Sequence, residues 1–372
     1  MLKAFQRLGY FPHPDFVPLP IINHLRSILK LSAKVSAIPS LRSRRRYTEA
    51  IRAYLGVKPY DNVAQERAAK AIAVAASVKD HPADLINVAI EELVKERYEL
   101  PAFSTIDRLA GNVRSITNTR LFQRVCAGTT KTEQAYLDQL ILPGSQQSIA
   151  TLNLLKSPPK SATLSHMQEL LVKFNQLMSF GDAKRLLSGI ASSKVKFFAA
   201  LAKALDISEF QDIKLPKRRT LLLCLLYQAQ VKTRDHLVEM FLKRLQTIHN
   251  NAKAKLVELR ELHLAQTEAL LRVLAQILSV SNENIDDAAL GQQVQSVFTC
   301  HGGPQLLLEQ CEEIAAYNSD NHLPLLWQFY SRYRKLLFGL VRSLDIRSTT
   351  QDQSLMSALT VGASNKKRFD QQ

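Results

Sequence analysis

From Val231 to Val280 the chain contains neither glycine nor proline. Within that stretch Val238, Leu242, Leu245, Ile248, Ala252, Leu256, Leu259 and Leu262 recur at three- and four-residue intervals. Such spacing gathers apolar side chains on one face of an α-helix, whereas a half-buried strand needs strict alternation. As one helix the segment would be about 75 Å long at ~1.5 Å per residue; two helices in line are the alternative. A helix that long serves as a coiled-coil arm or as a spine between domains. Helical spacing recurs almost everywhere else, and alternating β-branched runs bounded by turn pairs are absent. The expected fold class is therefore all-α, arranged as several helical bundles.

Local signals divide the remainder. Helices are expected over about 18–31 and 42–55, the latter stopping at Gly56. The alanine-rich "NVAQERAAKAIAVAASV" is a strong helix former. "PADLINVAIEELVKERY" follows, with Pro82 in its first turn, where a missing N–H costs nothing. After the break at "ELPAF", Ser104 and Asp107 suggest an N-cap and its partner. Ile106, Leu109, Val113 and Ile116 then share one face of a helix over 104–116, and Thr105, Arg108, Asn112 and Ser115 share the other. Gly111 reads as a mild defect or a place of close approach. Helix, short turn, then a helix carrying Arg and Asn outward is the pattern of a helix-turn-helix. Arg matches guanine edges and Asn adenine edges. An ordinary amphipathic helix in a bundle is the plainer reading.

"LPGSQQS" and "KSPPKSAT" interrupt the periodicity, which places a boundary near 145–163. Shorter helices are expected over 164–178, 182–190 and 194–205, and further ones over 286–299, 304–316 and 320–343. Four segments result: 1–145, 163–230, 231–347 and a polar tail, 348–372.

The charge of +16 on 372 residues says nothing about fold, but it favours a polyanionic partner, nucleic acid before anionic membrane. It is also segregated: net +9 over 1–60, −1 over 61–150, +11 over 151–260 and −3 over 261–372. A surface charged only for solubility needs no such segregation. Arg42, Arg44, Arg45, Arg46 and Arg52 crowd one segment, with Glu49 the only acid among them. Lys214, Lys217, Arg218 and Arg219 lead into "TLLLCLLYQ", a helix apolar all round and so buried. A solvated face is the ordinary explanation of either run.

Chemistry-bearing patterns are sparse. Cys126, Cys224, Cys300 and Cys311 are unpatterned, which suits a reducing compartment, and the start lacks the apolar region of a signal peptide. A cytoplasmic location is expected. Cys300, His301 and Cys311 fit no zinc spacing, and "HGGP" is a turn, not a phosphate loop. No metal site, cofactor, small-molecule substrate or membrane span is expected, and no catalytic residue is assigned. A complete phosphoryl-transfer enzyme would need acids converging from a rigid scaffold. A helical interaction protein without a DNA role, forming a homodimer through 231–280, is the other alternative.

"FQRLGYFP", "VPLPIINHL", "RRRYTEAIRAYLGVKPY", "DLINVAIEELVKERYELPAFSTIDRLA" and "LPKRRTLLLCLLYQAQVKTRDHLVEMF" resemble, in order, the N-terminal half of transposases of class II replicative transposons, the Tn-three family. The likeness covers most of 1–280. It implies helical domains that recognise terminal inverted repeats in double-stranded DNA. It also implies a separate catalytic domain with an Asp-Asp-Glu triad and magnesium, to which no position here corresponds. The chain is accordingly expected to be a truncated or split transposase, lacking the first segment and the catalytic half. On this reading Arg42, Arg44, Arg45, Arg46 and Arg52 meet phosphates, and Thr105, Arg108, Asn112 and Ser115 face bases. Lys217, Arg218, Arg219 and Arg234 form a second contact surface.

Overall fold

The computed structural model describes residues 1–32, 40–158, 160–161, 163–281, 286–318, 321–344, 346–351 and 353–364. Among these residues there is no strand, only an isolated bridge between Lys58 and Tyr98. The chain is all-α, and it divides into two compact units. One comprises 1–157 with 177–230, the other 158–176 with 231–372. The expected segment 163–230 is thus shared between them, because 164–176 packs with the later part of the chain. The last residues of the expected tail, 365–372, lie outside the described residues.

The first unit opens with α1 (Leu2–Leu8), α2 (Leu19–Ile28) and α3 (Leu41–Leu55). A three-helix bundle follows: α4 (Asn62–Ala76), α5 (Pro82–Lys95) and α6 (Phe103–Ala127). Asp61 caps α4 by accepting the Ala64 N–H at 2.9 Å, and Pro82 occupies the first turn of α5. Ala64, Ala68, Ile72 and Ala76 form the buried stripe of α4. Their small size lets Leu85, Ile86, Ala89 and Leu93 of α5 and Ile106 and Ala110 of α6 close the core. Ser104 does not cap α6. The N-cap is Ala102, without a side-chain bond, and Ser104 lies inside the helix. Nor does α6 stop near 116. Its second half buries Leu121, Phe122 and Val125 in another core, so the buried face turns about 160° between Ile106 and Phe122 at ~100° per residue. Ile116 falls between the two cores and is exposed, against its expected place on the apolar face. A Cβ on Gly111 would meet nothing within 4 Å, so this glycine is not a close approach.

That second core gathers α7 (Lys131–Gln139) and α8 (Gln146–Lys156), then, past α9 (Leu164–Met178), α10 (Ala183–Leu186), α11 (Ser192–Ala204) and α12 (Ile207–Asp212). Its axis is the start of α13 (Leu215–Leu262), where Leu221 to Leu226 are all buried, as the run of apolar residues predicts. Burial pushes the Cys224 thiol there up to about 12. The helix begins earlier than expected, so Lys217, Arg218 and Arg219 lie in its first turns.

Lys194 joins the two cores. It is 1% exposed, and its Nζ donates to the Ala76 carbonyl at 2.6 Å and to Asn118 Oδ1, with Asp80 Oδ1 at 3.3 Å. Asn118 Nδ2 donates to the same carboxylate at 2.8 Å, and Arg114 Nη1 to the Asp80 carbonyl at 3.1 Å. One ammonium thus ties the end of α4, the α4–α5 corner and mid-α6 to α11. Burial lowers its affinity for the proton; Asp80 opposes that and Arg114 adds to it.

In the second unit Met167, Leu170 and Phe174 of α9 pack on Leu237 and Met240 of α13 and on Leu336, Leu340 and Leu344. The segment 231–280 is helical except at His263, as the two-helix alternative has it: the later part of α13, which starts at Leu215, and α14 (Leu264–Ser281). Next come α15 (Asp287–Cys300) and α16 (Pro304–Asn318). The single helix expected over 320–343 is instead α17 (Leu326–Tyr330) and α18 (Arg334–Ser343), flanked and joined by 3-10 turns. The expected tail holds a helix, α19 (Ser354–Ser364).

Because the native state holds the Lys194 proton more weakly than the unfolded chain does, the unfolded state binds more protons between the lowered value and the ordinary lysine range. Stability from this group therefore rises with pH across that window. Urea midpoints of wild type and Lys194→Met, followed from pH 7 into the alkaline range, should show the rise in wild type relative to the variant.

Candidate nucleic-acid interface

The arginine segment forms α3, started by Ser40, whose hydroxyl accepts the Ser43 N–H at 3.3 Å, and ended by Gly56 at φ 64°. No residue of α3 is fully buried, but the helix has two sides. Arg44, Thr48, Ile51, Arg52 and Leu55 are half-buried, while Arg42, Arg45 and Arg46 are exposed. Arg52 is an internal anchor: Nη2 lies 2.7 Å and Nε 2.9 Å from Glu99 Oε2, and the guanidinium sits 5.6 Å from the Phe11 ring centre. Arg44 Nη2 reaches the Pro12 carbonyl at 3.5 Å. Arg46 lies 5.6 Å from the Tyr47 ring centre. Among the described residues, the side chains of Arg42 and Arg45 make no hydrogen bond or ion pair, although the Arg45 carbonyl accepts from the Thr48 hydroxyl at 2.8 Å.

Glu99 belongs to the connection, residues 96–102, between α5 and α6. This connection is an extended stretch, not the three- to four-residue turn of a helix-turn-helix. Lys58 N–H donates to the Arg97 carbonyl, and Glu99 N–H to the Lys58 carbonyl, both at 2.8 Å. Leu100 N–H donates to the Gly9 carbonyl at 2.8 Å. Gly9 ends α1 at φ 73°, left-handed backbone that favours glycine, and a Cβ there would also crowd the Leu100 side chain, 2.8 Å from Cδ1. Arg52 and these backbone bonds fasten the N-terminal segment and α3 to the lead-in of α6.

On α6, Arg108, Asn112 and Ser115 are exposed, and Thr105 is half-exposed, in one row. Neither Arg108 nor Asn112 makes a side-chain bond among the described residues. The acid available to Arg108, Glu96, is instead paired with Arg67 at 3.1 Å.

The second basic run divides in the same way as the first. Arg219 is internal: Nη2 lies 2.6 Å from Asp138 Oδ2, Nε 3.1 Å from Oδ1, and Nη1 2.8 Å from Gln134 Oε1. Arg218 Nη1 donates to Gln211 Oε1 at 3.1 Å. Lys217 is half-buried and unbonded among the described residues, in a groove whose lining includes Ser115. The structure thereby brings together two residues that the sequence assigned to different surfaces. Arg234 belongs to the other unit, 5.7 Å from the Phe174 ring centre.

Lys194, Asp80, Asn118 and Arg114 were not singled out from sequence. A signal existed, since Lys194 is in helical phase with Val195, Phe198, Ala199 and Ala202, all buried. Among the described residues no group of three or more His, Cys, Asp or Glu is placed to hold a metal ion, and no helix is long and apolar enough to cross a membrane.

Residues 1–113 match a family model described as a domain of unknown function, DUF4158. The chain is 21% identical over 285 residues to the transposase for transposon gamma-delta of Escherichia coli K12, covering 75% of this chain. Identity is 21% over 363 residues, or 94% of the chain, with the transposase for transposon Tn2501 of Escherichia coli. With the transposase for transposon Tn501 of Pseudomonas aeruginosa it is 20% over 330 residues, or 85% of the chain. The chain is related to the transposases of the Tn-three family. It spans 28%, 36% and 32% of the length of these three relatives. The likeness runs through both units, across the arginine helix and the row on α6.

The two sets of basic residues should separate in stability. Arg52→Ala and Arg219→Ala each remove charge-assisted hydrogen bonds from a partly buried carboxylate and should cost about 1–3 kcal/mol. Arg42→Ala and Arg108→Ala should stay within about 0.5 kcal/mol of wild type. Denaturant unfolding of the four variants checks this.

Proposed function

We propose that the chain binds duplex DNA through α3 and α6, as the end-recognising part of a transposition system, and that its cognate sequence is a transposon's terminal inverted repeat. The observation that carries this reading is the set of cations left outward after internal pairing. Arg42, Arg45 and Arg46 lie on the open side of α3, and Arg108 shares an exposed row with Asn112, in a chain related to transposases along most of its length.

The roles divide by chemistry. An arginine on a solvated helix face neutralises phosphate and positions the protein without reading sequence. Arg108 and Asn112, one turn apart on a face free of internal bonds, have the donor and acceptor groups that pair with guanine and adenine edges in the major groove. Thr105 and Ser115 extend that row. Arg52, Arg219 and Arg218 have structural tasks and leave the list of direct contacts, and Arg44 supports α3 from its packed side.

The test is a salt series on a cognate end and on random duplex. With about five phosphates neutralised, log affinity should fall against log salt with a slope of about −4 to −5. Arg108→Ala and Asn112→Ala should each cost about 1–3 kcal/mol on the cognate end and far less on random duplex. Arg42→Ala and Arg45→Ala should weaken both duplexes alike and flatten the slope by about one unit each. A flat salt response, or a cognate-to-random ratio unmoved by the α6 variants, would refute the reading.

A further inference from the structure

Beside the outward row of α6 lies a groove of about 760 Å³ inside the first unit. Its size falls within the ~300–1,000 Å³ of small-ligand pockets. Three elements build it. α11 supplies an apolar wall, Phe197 and Leu201, which are 42% and 37% exposed although each is large and apolar. They are four residues apart and so stand one above the other on the helix. The Phe197 ring lies 5.8 Å from that of buried Phe198, at 65° to it. α6 supplies Ser115, Thr119 and Gln123, again at intervals of four, as hydroxyl and amide groups; the Thr119 hydroxyl donates to the Ser115 carbonyl at 2.8 Å and so offers its lone pairs. The start of α13 supplies Lys217, with Lys214 just before it.

The charges do not cancel. Of the two acids in the lining, Asp80 is already engaged by Lys194 and Asn118. Asp212 is the other, in a lining that also holds Arg114, Lys214 and Lys217. The groove therefore offers an excess of positive charge beside an exposed aromatic face and a row of neutral hydrogen-bonding groups. A metabolite anion would use the lysines but not the ring, and an apolar ligand the ring but not the lysines. A nucleotide uses all three, with its phosphate at Lys214 and Lys217, its base on Phe197, and its base edge toward Thr119 and Gln123. An intact duplex keeps its bases stacked and cannot present one to Phe197.

We infer that this groove holds an unpaired nucleotide of a DNA strand, stacked on Phe197 with its phosphate at Lys214 and Lys217. The inference rests on the DNA-binding reading for the source of the nucleotide, but it uses side chains that the duplex contacts do not require, Ser115 excepted.

The test uses the full chain and fluorescence anisotropy. The probes are a short labelled oligothymidylate, the same backbone made abasic, a blunt duplex, and thymidine monophosphate as competitor. Stacking of a base on an aromatic side chain predicts that Phe197→Ala weakens the single strand by about ten-fold or more. Phe197→Trp should retain binding and Lys217→Gln should weaken it, and blunt-duplex affinity should not change with either Phe197 variant. Circular dichroism melting verifies that the variants are folded; Phe197 is exposed enough for Ala to be accommodated. Equal affinity for the abasic strand, or an unchanged affinity in Phe197→Ala, would overturn the inference. So would competition by the monophosphate at the strand's own affinity, which would make the site one for free nucleotides. Phe197-dependent strand binding without duplex binding would sustain the groove and sink the duplex reading. Salt-dependent duplex binding with no Phe197 effect would do the reverse.

Discussion

One buried side chain joins the two cores of the first unit. Lys194 lies where the bundle of α4, α5 and α6 meets the core around α13, and its acceptors come from the end of α4 and the corner after it, Ala76 and Asp80, and from Asn118 of α6, 38 residues beyond Asp80. A buried lysine without partners would give up its proton; one with a carboxylate, a backbone carbonyl and a side-chain amide around it can keep it. This arrangement makes the register of α11 against α6 specific, because a shift by one residue would put Ser193 or Val195, neither of them a cation, among those acceptors. The same contact sets the walls of the groove above it, since Asn118 is one residue from Thr119 and Lys194 three residues from Phe197.

The positive charge of the chain is therefore two populations. One is structural: Lys194, Arg52 and Arg219 each reach a carboxylate of the first unit. The α3 helix has no fully buried side chain of its own, so its place depends on Arg52 and on the backbone bonds around Gly9, Lys58 and Glu99. The other population is outward and lacks internal partners, Arg42, Arg45 and Arg108 among them. Internal pairing thus explains how a helix so rich in arginine can be docked at all: its inward guanidiniums bind the protein, which leaves the outward ones for a polyanion.

Much of the fold is legible in sequence. Periodicity gives the all-α class, Pro82 and Gly56 mark helix ends, and the unbroken apolar run at 221–226 announces the central buried helix. Reading the site is harder for a physical reason. Whether an arginine faces inward or outward depends on its partner, and the partners are distant: Glu99 is 47 residues from Arg52, and Asp138 is 81 from Arg219. The reading of α6 stopped near 116 because its buried face rotates on passing from one core to the next, which blurs the period. The grouping of 164–176 with the second unit has no local signal, since an amphipathic helix does not say which partner covers its apolar stripe.

The central claim is the division of the arginines, and chemical footprinting tests it directly. Phenylglyoxal modifies accessible guanidiniums, and mass spectrometry of the digested chain reads each site with and without a transposon-end duplex. The account predicts that Arg42, Arg45 and Arg108 react in the free protein and are protected by the duplex, while Arg52 and Arg219 react slowly in both states. Fast modification of Arg52 and Arg219 in the free protein, or no protection of Arg42, Arg45 and Arg108 by DNA, would contradict it.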